Sequence, residues 1–331
     1  MVDIVTQNIA NTEGIEILGN SIYHYLVYFI LLLIIVYLVV RYQKSSLVKT
    51  RKLLRDKETA YEKIARQREE LELKNRNITD SLVYASYMQE ALLPSQDYFR
   101  SILPESFIFY KPKDIVSGDF YWVDKKDNMI FIVAADCTGH GVPGAFMSMI
   151  GVELLNKIIL DQEVNKPSEI LEILGKGIAR TFGGHIDSNS LLKDGMDIGL
   201  CSINELTGEL QFAGAFFPLY IIRDNKLTEI KGDRQSLGIP LESSFKDNRT
   251  RIMNGDIIYM FSDGYADQFG GPNNKKFMYR RFRHLLLTIH KFPMEDQKAI
   301  LEDSIANWSK DEEQVDDMMV IGISPKIKRQ D

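Results

Sequence analysis

Four aspartates stand where apolar runs begin or end. Asp119 lies in Ser117-Gly118-Asp119-Phe120, and Asp136 closes the run Ile130–Ala135 and is followed by Cys137-Thr138-Gly139-His140-Gly141. Asp263 follows Ile257–Ser262, and Asp316 precedes Met318–Ile323. One strand-end aspartate commonly caps a turn. Four of them, with glycines at 118, 139, 141 and 264 that let backbones approach closely, suggest a shared centre. Carboxylates without a His/Cys ligand set suit hard divalent ions such as Mg²⁺ or Mn²⁺.

The elements needed to position these residues are short strands and covering helices. Strand-like runs occur at Ser106–Tyr110, Phe120–Val123, Ile130–Ala135, Ile198–Ile203, Leu210–Ala213, Leu219–Arg223, Ile257–Phe261 and Met318–Ile323. Turn signals such as Lys126-Asp127-Asn128 and Asp224-Asn225-Lys226 separate them. Helical patterns cover Gly144–Leu160, Pro167–Phe182, Lys276–Leu286 and Pro293–Ser309. Helix pairs interleaved with runs of strands point to an α+β domain.

Ahead of this domain the chain reads differently. Residues 22–40 carry no Asp, Glu, Lys or Arg, and a helix of that length covers about 28 Å, close to the hydrocarbon thickness of a bilayer. Asp3, Glu13 and Glu16 precede the span, whereas Arg41, Lys44, Lys49, Arg51, Lys52 and Arg55 follow it. The basic side stays in the cytoplasm, so a single pass of the cytoplasmic membrane with the N-terminus outside is expected. From Arg41 to Leu93 there is no proline or glycine. With Leu47 at heptad position a, the a and d series include Leu54, Tyr61, Ile64, Leu71, Ile78, Leu82 and Leu92, interrupted by Arg68, Asn75 and Gln89. This predicts a helical stalk that pairs as a parallel dimer, or else a solvated single helix. The organisation read is 1–21 outside, 22–40 membrane helix, 41–93 stalk, 94–326 catalytic domain and 327–331 tail. The formal net charge is −6, although residues 41–76 hold twelve Lys/Arg against six Asp/Glu. Nothing globally basic suggests a nucleic-acid partner. The two cysteines, Cys137 and Cys201, sit in strand-like runs and suggest a reducing compartment.

The ordered set Ser117-Gly118-Asp119-Phe120, Asp136 to Gly141, Ser262-Asp263-Gly264-Tyr265-Ala266-Asp267 and Asp316-Asp317-Met318-Met319-Val320 resembles the metal-dependent protein serine/threonine phosphatases. It is most similar to their bacterial branch, typified by stage II sporulation protein E. The resemblance runs from about Ile78 to Ile323. It implies an α-β-β-α sandwich, two antiparallel sheets face to face with helices outside. It also implies hydrolysis of phosphoserine or phosphothreonine on a protein, assisted by two Mn²⁺ or Mg²⁺ ions. Asp136 would bridge the two ions, the Cys137 carbonyl would bind one, and Asp119, Asp263 and Asp316 would complete the set. Two cations acidify a water and neutralise phosphoryl oxygens, so no nucleophilic side chain is required. In this branch the substrates are often anti-sigma-factor antagonists.

Other positions keep two readings. His140 is a general acid or a turn residue, since Cys137-Thr138 separate it from the place of the Gly-His-Gly that follows the bridging aspartate in the eukaryotic members. Lys111 and Lys113 bind phosphate or are simply solvated. Asp197 approaches a further metal or makes structural hydrogen bonds, and Asp267 and Asp317 orient ligands or water. Phe216 and Phe217, in Ala213–Tyr220, replace a polar version and alter substrate contacts. The alternative to an enzyme is a signalling scaffold that keeps the phosphatase fold without turnover. A histidine kinase is disfavoured, because none of the five histidines lies on the stalk.

Overall fold

The computed structural model describes residues 2–139, 141–162, 164–183, 195–239, 243–310 and 312–328, and within them the side chains from residue 21 onward except those of 182 and 183. Two compact units partition the chain, Met1–Asn77 and Ile78–Asp331.

The first unit is helical. Helix α1, Val2–Leu92, runs through it and ends in the second unit. Continuous helix follows from the absence of Pro and Gly after residue 40. It is supported on the surface by i,i+4 pairs such as Lys74–Glu70 at 2.7 Å. Such exposed pairs each contribute only about 0.3–0.5 kcal/mol. The part near the N-terminus is long and apolar enough to cross a membrane, and its aliphatic side chains are open to the surroundings in the single chain.

The second unit starts with the last turns of α1. Then come α2 (Gln96–Ile102), β1 (Ser106–Lys111), β2 (Phe120–Lys126) and β3 (Met129–Cys137). Helix α3 (Val142–Leu155) continues as a π-helical turn over Asn156–Asp161, and α4 spans Pro167–Gly183. After it lie β4 (Met196–Asn204), β5 (Glu209–Ala215), β6 (Leu219–Arg223), β7 (Lys226–Ile230), β8 (Asn248–Arg251) and β9 (Ile257–Phe261). The short α5 (Gly264–Asp267) and the two-residue strands β10 (Phe269–Gly270) and β11 (Lys275–Lys276) precede α6 (Tyr279–Ile289), α7 (Met294–Ser309) and β12 (Met318–Ile323).

Two five-stranded antiparallel sheets result, in the orders β1-β12-β9-β6-β7 and β2-β3-β4-β5-β8. Their facing sides share one apolar layer, with Ile132, Ala134, Cys201 and Phe212 from one sheet against Leu219, Ile258, Met260 and Ile321 from the other. Alternate residues point outward. Those of the β2–β8 sheet, such as Phe131, Val133 and Leu200, pack under α3 and α4. Those of the β1–β7 sheet, such as Phe107, Tyr259 and Val320, pack under α6 and α7. The expected α-β-β-α sandwich is therefore present. The long apolar run of α3 belongs to this core, since half of its candidate span is buried.

The sequence reading lacks β7 and β8. Both are polar edge strands, with a single row of partners each, so no apolar alternation marks them. Helix α6 starts three residues later than its pattern, because Lys275 and Lys276 pair with Phe269 and Gly270.

Candidate active site

The strand registers bring the four aspartates to one edge of the sandwich. At the end of β3, Asp136 lies opposite Asp197 and Cys137 opposite Met196 of β4. Directly opposed residues of an antiparallel pair share a face, so Asp197 flanks Asp136. Asp119 immediately precedes β2, whose Phe120 lies opposite Ala135. In the other sheet, Phe261 of β9 faces Val320 of β12. The Ser262 N–H donates to the Met319 carbonyl (3.1 Å), and the Met319 N–H donates to Ser262 Oγ (3.0 Å). This lock sets Asp263 beside Asp316. Each sheet contributes two of the carboxylates, and all four share one electrostatic environment.

Close backbone approach depends on particular glycines. A Cβ on Gly144 would lie 2.1 Å from the Gly139 carbonyl oxygen and 2.8 Å from the Gly118 Cα. Helix α3 can thus seat directly under the loops that carry Asp119 and Asp136. A Cβ on Gly118 would meet the carbonyl oxygens of Gly139 (2.8 Å) and Cys137 (3.0 Å), so those two oxygens face the Asp119 loop. Asp317 clamps the same loop. Its Oδ2 accepts from the Gly118 N–H and its Oδ1 from the Lys113 N–H, both at 2.7 Å.

Gln89, from the last turns of α1, is buried in this clamp. Its Nε2 donates to the Ser117 carbonyl (2.6 Å) and to Ser148 Oγ (2.7 Å), and its Oε1 accepts from the Ser117 N–H (3.1 Å). Read as a heptad position, Gln89 belongs to a helix–helix seam, yet here it holds the residue two before Asp119. Gln89→Ala leaves the buried Ser117 N–H unpaired and its carbonyl with only the distant Ser148 hydroxyl (3.5 Å), and the expected loss of stability is about 1–3 kcal/mol. Thermal unfolding measures that loss, and titration of Mn²⁺ should show weaker binding in the variant. A lower Tm with unaltered Mn²⁺ affinity would limit Gln89 to a structural role.

Electrostatics at this edge favour a bound cation. Burial, and then the neighbouring carboxylate of Asp136, holds Asp119 well above the usual carboxylate range. Burial raises Asp136 as well, followed by Asp263 and Asp316. Asp263, whose side chain reaches solvent, is pushed up to about 6 by burial and by Asp316. Asp119 Oδ2 is buried and has no hydrogen-bond partner, which is costly unless a cation or proton satisfies it. Among the described residues, no three His, Cys, Asp or Glu side chains form a tight preformed cage. Mg²⁺-type centres do not need one, because they keep several waters and take only one or two carboxylates per ion. The donor set therefore fits hard divalent ions.

A pH dependence follows. These aspartates have folded-state values above those of the unfolded chain, so protonation favours the fold. Their stabilising contribution is complete below the ordinary range of about 4. It is lost as pH rises through the folded values, about 6 for Asp263. Metal-free protein is expected to melt lower at pH 7 than Asp136→Asn, with the difference shrinking as pH falls from 7 toward about 4. Parallel melting curves over pH 4–8 test this, and a pH-independent difference would contradict it.

The remaining sequence candidates separate clearly. Asp197 is half-buried, and its Oδ1 accepts from the Ser236 hydroxyl, which opposes the upward push of burial. Lys113 contributes its backbone N–H to Asp317, and the exposed Lys111 uses its carbonyl to accept from Gln314 Nε2 (2.8 Å). Asp267 pairs with Lys276 at 2.7 Å. His140 lies outside the described residues. Phe217 is core, whereas Phe216 is 52% exposed. Both cysteines are buried free thiols. Sequence reasoning missed Gln89, Ser262 and Ser236 as supports. Only Gln89 left a signal, a polar side chain on an apolar stripe.

Comparison with known proteins agrees with this fold. The family model described as Stage II sporulation protein E (SpoIIE) matches residues 126–326. The SiaA-PP2C domain of Pseudomonas aeruginosa shares 30% identity, covers 76% of this chain and 98% of its own, and superposes with a TM-score of 0.69. The phosphoserine phosphatase RsbU of Bacillus subtilis (strain 168) is 26% identical over 162 residues, 47% of this chain and 44% of that protein. The match thus spans less than half of that relative's length. The PP2C phosphatase domain of SpoIIE from Bacillus subtilis, with a fragment of its regulatory domain, has the same fold at 19% identity. It covers 66% of this chain and 61% of its own, with a TM-score of 0.54. With more than half of its length matched and its carboxylates gathered at the edge of a two-sheet sandwich, the chain belongs to the stage II sporulation protein E family and carries a PP2C-type serine/threonine phosphatase domain.

Proposed function

We propose that this chain is a single-pass, membrane-anchored, metal-dependent phosphatase that removes phosphate from serine or threonine of a cytoplasmic regulatory protein. The observation that carries the reading is the meeting of Asp119, Asp136, Asp263 and Asp316 from two sheets, with one buried Asp119 oxygen left unpaired. Those four side chains and the Cys137 carbonyl would hold two Mn²⁺ or Mg²⁺ ions. When bound, such ions acidify a water and neutralise phosphoryl oxygens.

The chain's own residues prepare that chemistry. Asp317 and Gln89 fix the Asp119 loop, the Ser262–Met319 lock fixes Asp263 against Asp316, and Ser236 orients Asp197. Burial of Asp119 keeps bulk water from one of its oxygens. The substrate class is a phosphorylated regulator such as an anti-sigma-factor antagonist, in line with the resemblance to the phosphoserine phosphatase RsbU. The apolar residues 22–40 would place the chain in the cytoplasmic membrane with its N-terminus outside, and the stripe Leu47, Leu54, Tyr61, Ile64, Leu71 and Ile78 would pair two copies in parallel.

The deciding experiment incubates the full chain, purified in detergent, with phosphoserine and phosphothreonine proteins while Mn²⁺ and Mg²⁺ are titrated. Metal-dependent phosphate release is expected. No release with either ion at any concentration would refute the reading.

A further inference from the structure

Beside the carboxylates lies a second feature with a different chemistry. A cavity of about 240 Å³ is lined by Phe216, Tyr220, Lys231, Arg234, Tyr279 and Arg283, with Glu229 as the acidic member. It adjoins the aspartates through the backbone. Phe216 bridges to Ile198, which follows Asp197, the partner of Asp136 in the sheet. From the other side, the Tyr279 phenol lies in the field of Asp263 and Asp267, which adds to the upward push of burial on its pKa.

The cavity has an excess of positive charge that the fold does not use. Arg283 is committed, donating to Tyr220 Oη (2.7 Å) and Glu229 Oε2 (2.9 Å). Lys231 and Arg234 are exposed and form no ion pair among the described residues. In the phosphatase reading, divalent ions at the aspartate edge would answer the phosphoryl oxygens, so these two cations suit a second anion. The aromatic wall is also held in place at some cost. Phe216 is half-exposed at φ +50° with its N–H donating to the Asp233 carbonyl (2.8 Å). Met278, which directs the chain into Tyr279, sits at φ +74° with its N–H on the Ala266 carbonyl (2.7 Å). Left-handed backbone at bulky residues is strained and concentrates at functional sites.

We infer that this cavity is a specificity subsite that takes an aspartate or glutamate of the substrate protein close in sequence to its phosphorylated residue. Lys231 and Arg234 meet the carboxylate, while Phe216 and Tyr279 flank the neighbouring backbone. The inference rests on the phosphatase reading and adds which phosphoproteins the site prefers.

The test uses the full chain in detergent with Mn²⁺ and three probes: a phosphoserine peptide flanked by glutamates, the same peptide flanked by lysines, and p-nitrophenyl phosphate. The wild type is expected to prefer the acidic peptide by about tenfold in kcat/KM, with the difference in KM. The pair Lys231→Glu with Arg234→Glu should invert that preference, and Phe216→Ala should raise KM for the acidic peptide. Equal use of both peptides by the wild type would overturn the inference. So would a loss on p-nitrophenyl phosphate as large as that on the acidic peptide, since the cations would then serve the phosphoryl group. If the wild type hydrolyses none of the three, the phosphatase reading fails. Fluorescence-anisotropy binding of the two peptides then decides the subsite separately: tighter acidic-peptide binding, inverted by the charge reversal, sustains it, and no preference removes it.

Discussion

Replacing Asp136 with asparagine is expected to lower metal-dependent phosphoserine hydrolysis by at least about a thousandfold, on the order of 4 kcal/mol of transition-state stabilisation. Asparagine has nearly the same volume and retains one oxygen, so the packing at the end of β3 survives. What disappears is the charge at the centre of the cluster. Burial and the carboxylates of Asp263, Asp316 and Asp197 all press on Asp136, so removing its charge relieves repulsion. The same substitution should therefore raise the melting temperature of the metal-free chain at pH 7 while weakening Mn²⁺ binding. Activity, melting and Mn²⁺ titration on one preparation distinguish the outcomes. Near-normal turnover would exclude a catalytic role for Asp136, whereas lost turnover with a lower melting temperature would point to misfolding instead of lost ligation.

A second large effect is expected from Gly264→Ala. The added Cβ would lie 2.0 Å from the Asp317 carbonyl oxygen, 2.9 Å from the Asp317 carbonyl carbon and 3.3 Å from the Asp316 Cβ. Two of these three are backbone atoms, so no side-chain rotation relieves the overlap. The segment that carries Asp263 must separate from the one that carries Asp316. Overpacking of this kind costs roughly 1–3 kcal/mol and more where backbone must move. The loss should be accompanied by loss of Mn²⁺ binding. Gly255→Ala is the control, because its φ is +97° but nothing lies within 4 Å of its Cβ. It should destabilise modestly through backbone strain and leave Mn²⁺ binding intact. Equal Mn²⁺ affinities in the two variants would show that the close approach at Gly264 does not set the site.

The layered α+β architecture is legible in the residues alone, and the four aspartates stand out there as strand-end carboxylates. Buried strands such as Ile257–Phe261 and Met318–Ile323 announce themselves through continuous apolar runs, because both faces of each strand are covered. A carboxylate at the end of such a run stands out against its neighbours. The two polar edge strands were not legible, although the apolar edge strands β1 and β2 were. Strands β7 and β8 satisfy only backbone pairing on one side and carry side chains that solvent accepts equally well in a loop.

How the site is held depends on contacts between distant segments. Asp317 lies next to Asp316 in sequence, yet its partners are the N–H groups of Gly118 and Lys113, some two hundred residues away. Gln89 fits a helical stripe equally well in a coiled coil or against a domain, and only the packing of α1 onto the loop before Asp119 chooses between them. Likewise, adjacent Phe216 and Phe217 look alike in the sequence, but one fills the core and the other stands half-exposed on a left-handed turn. Local patterns record which side chains avoid water. Which distant backbone group each polar atom meets depends on strand order and register, and those are set by the whole sandwich at once.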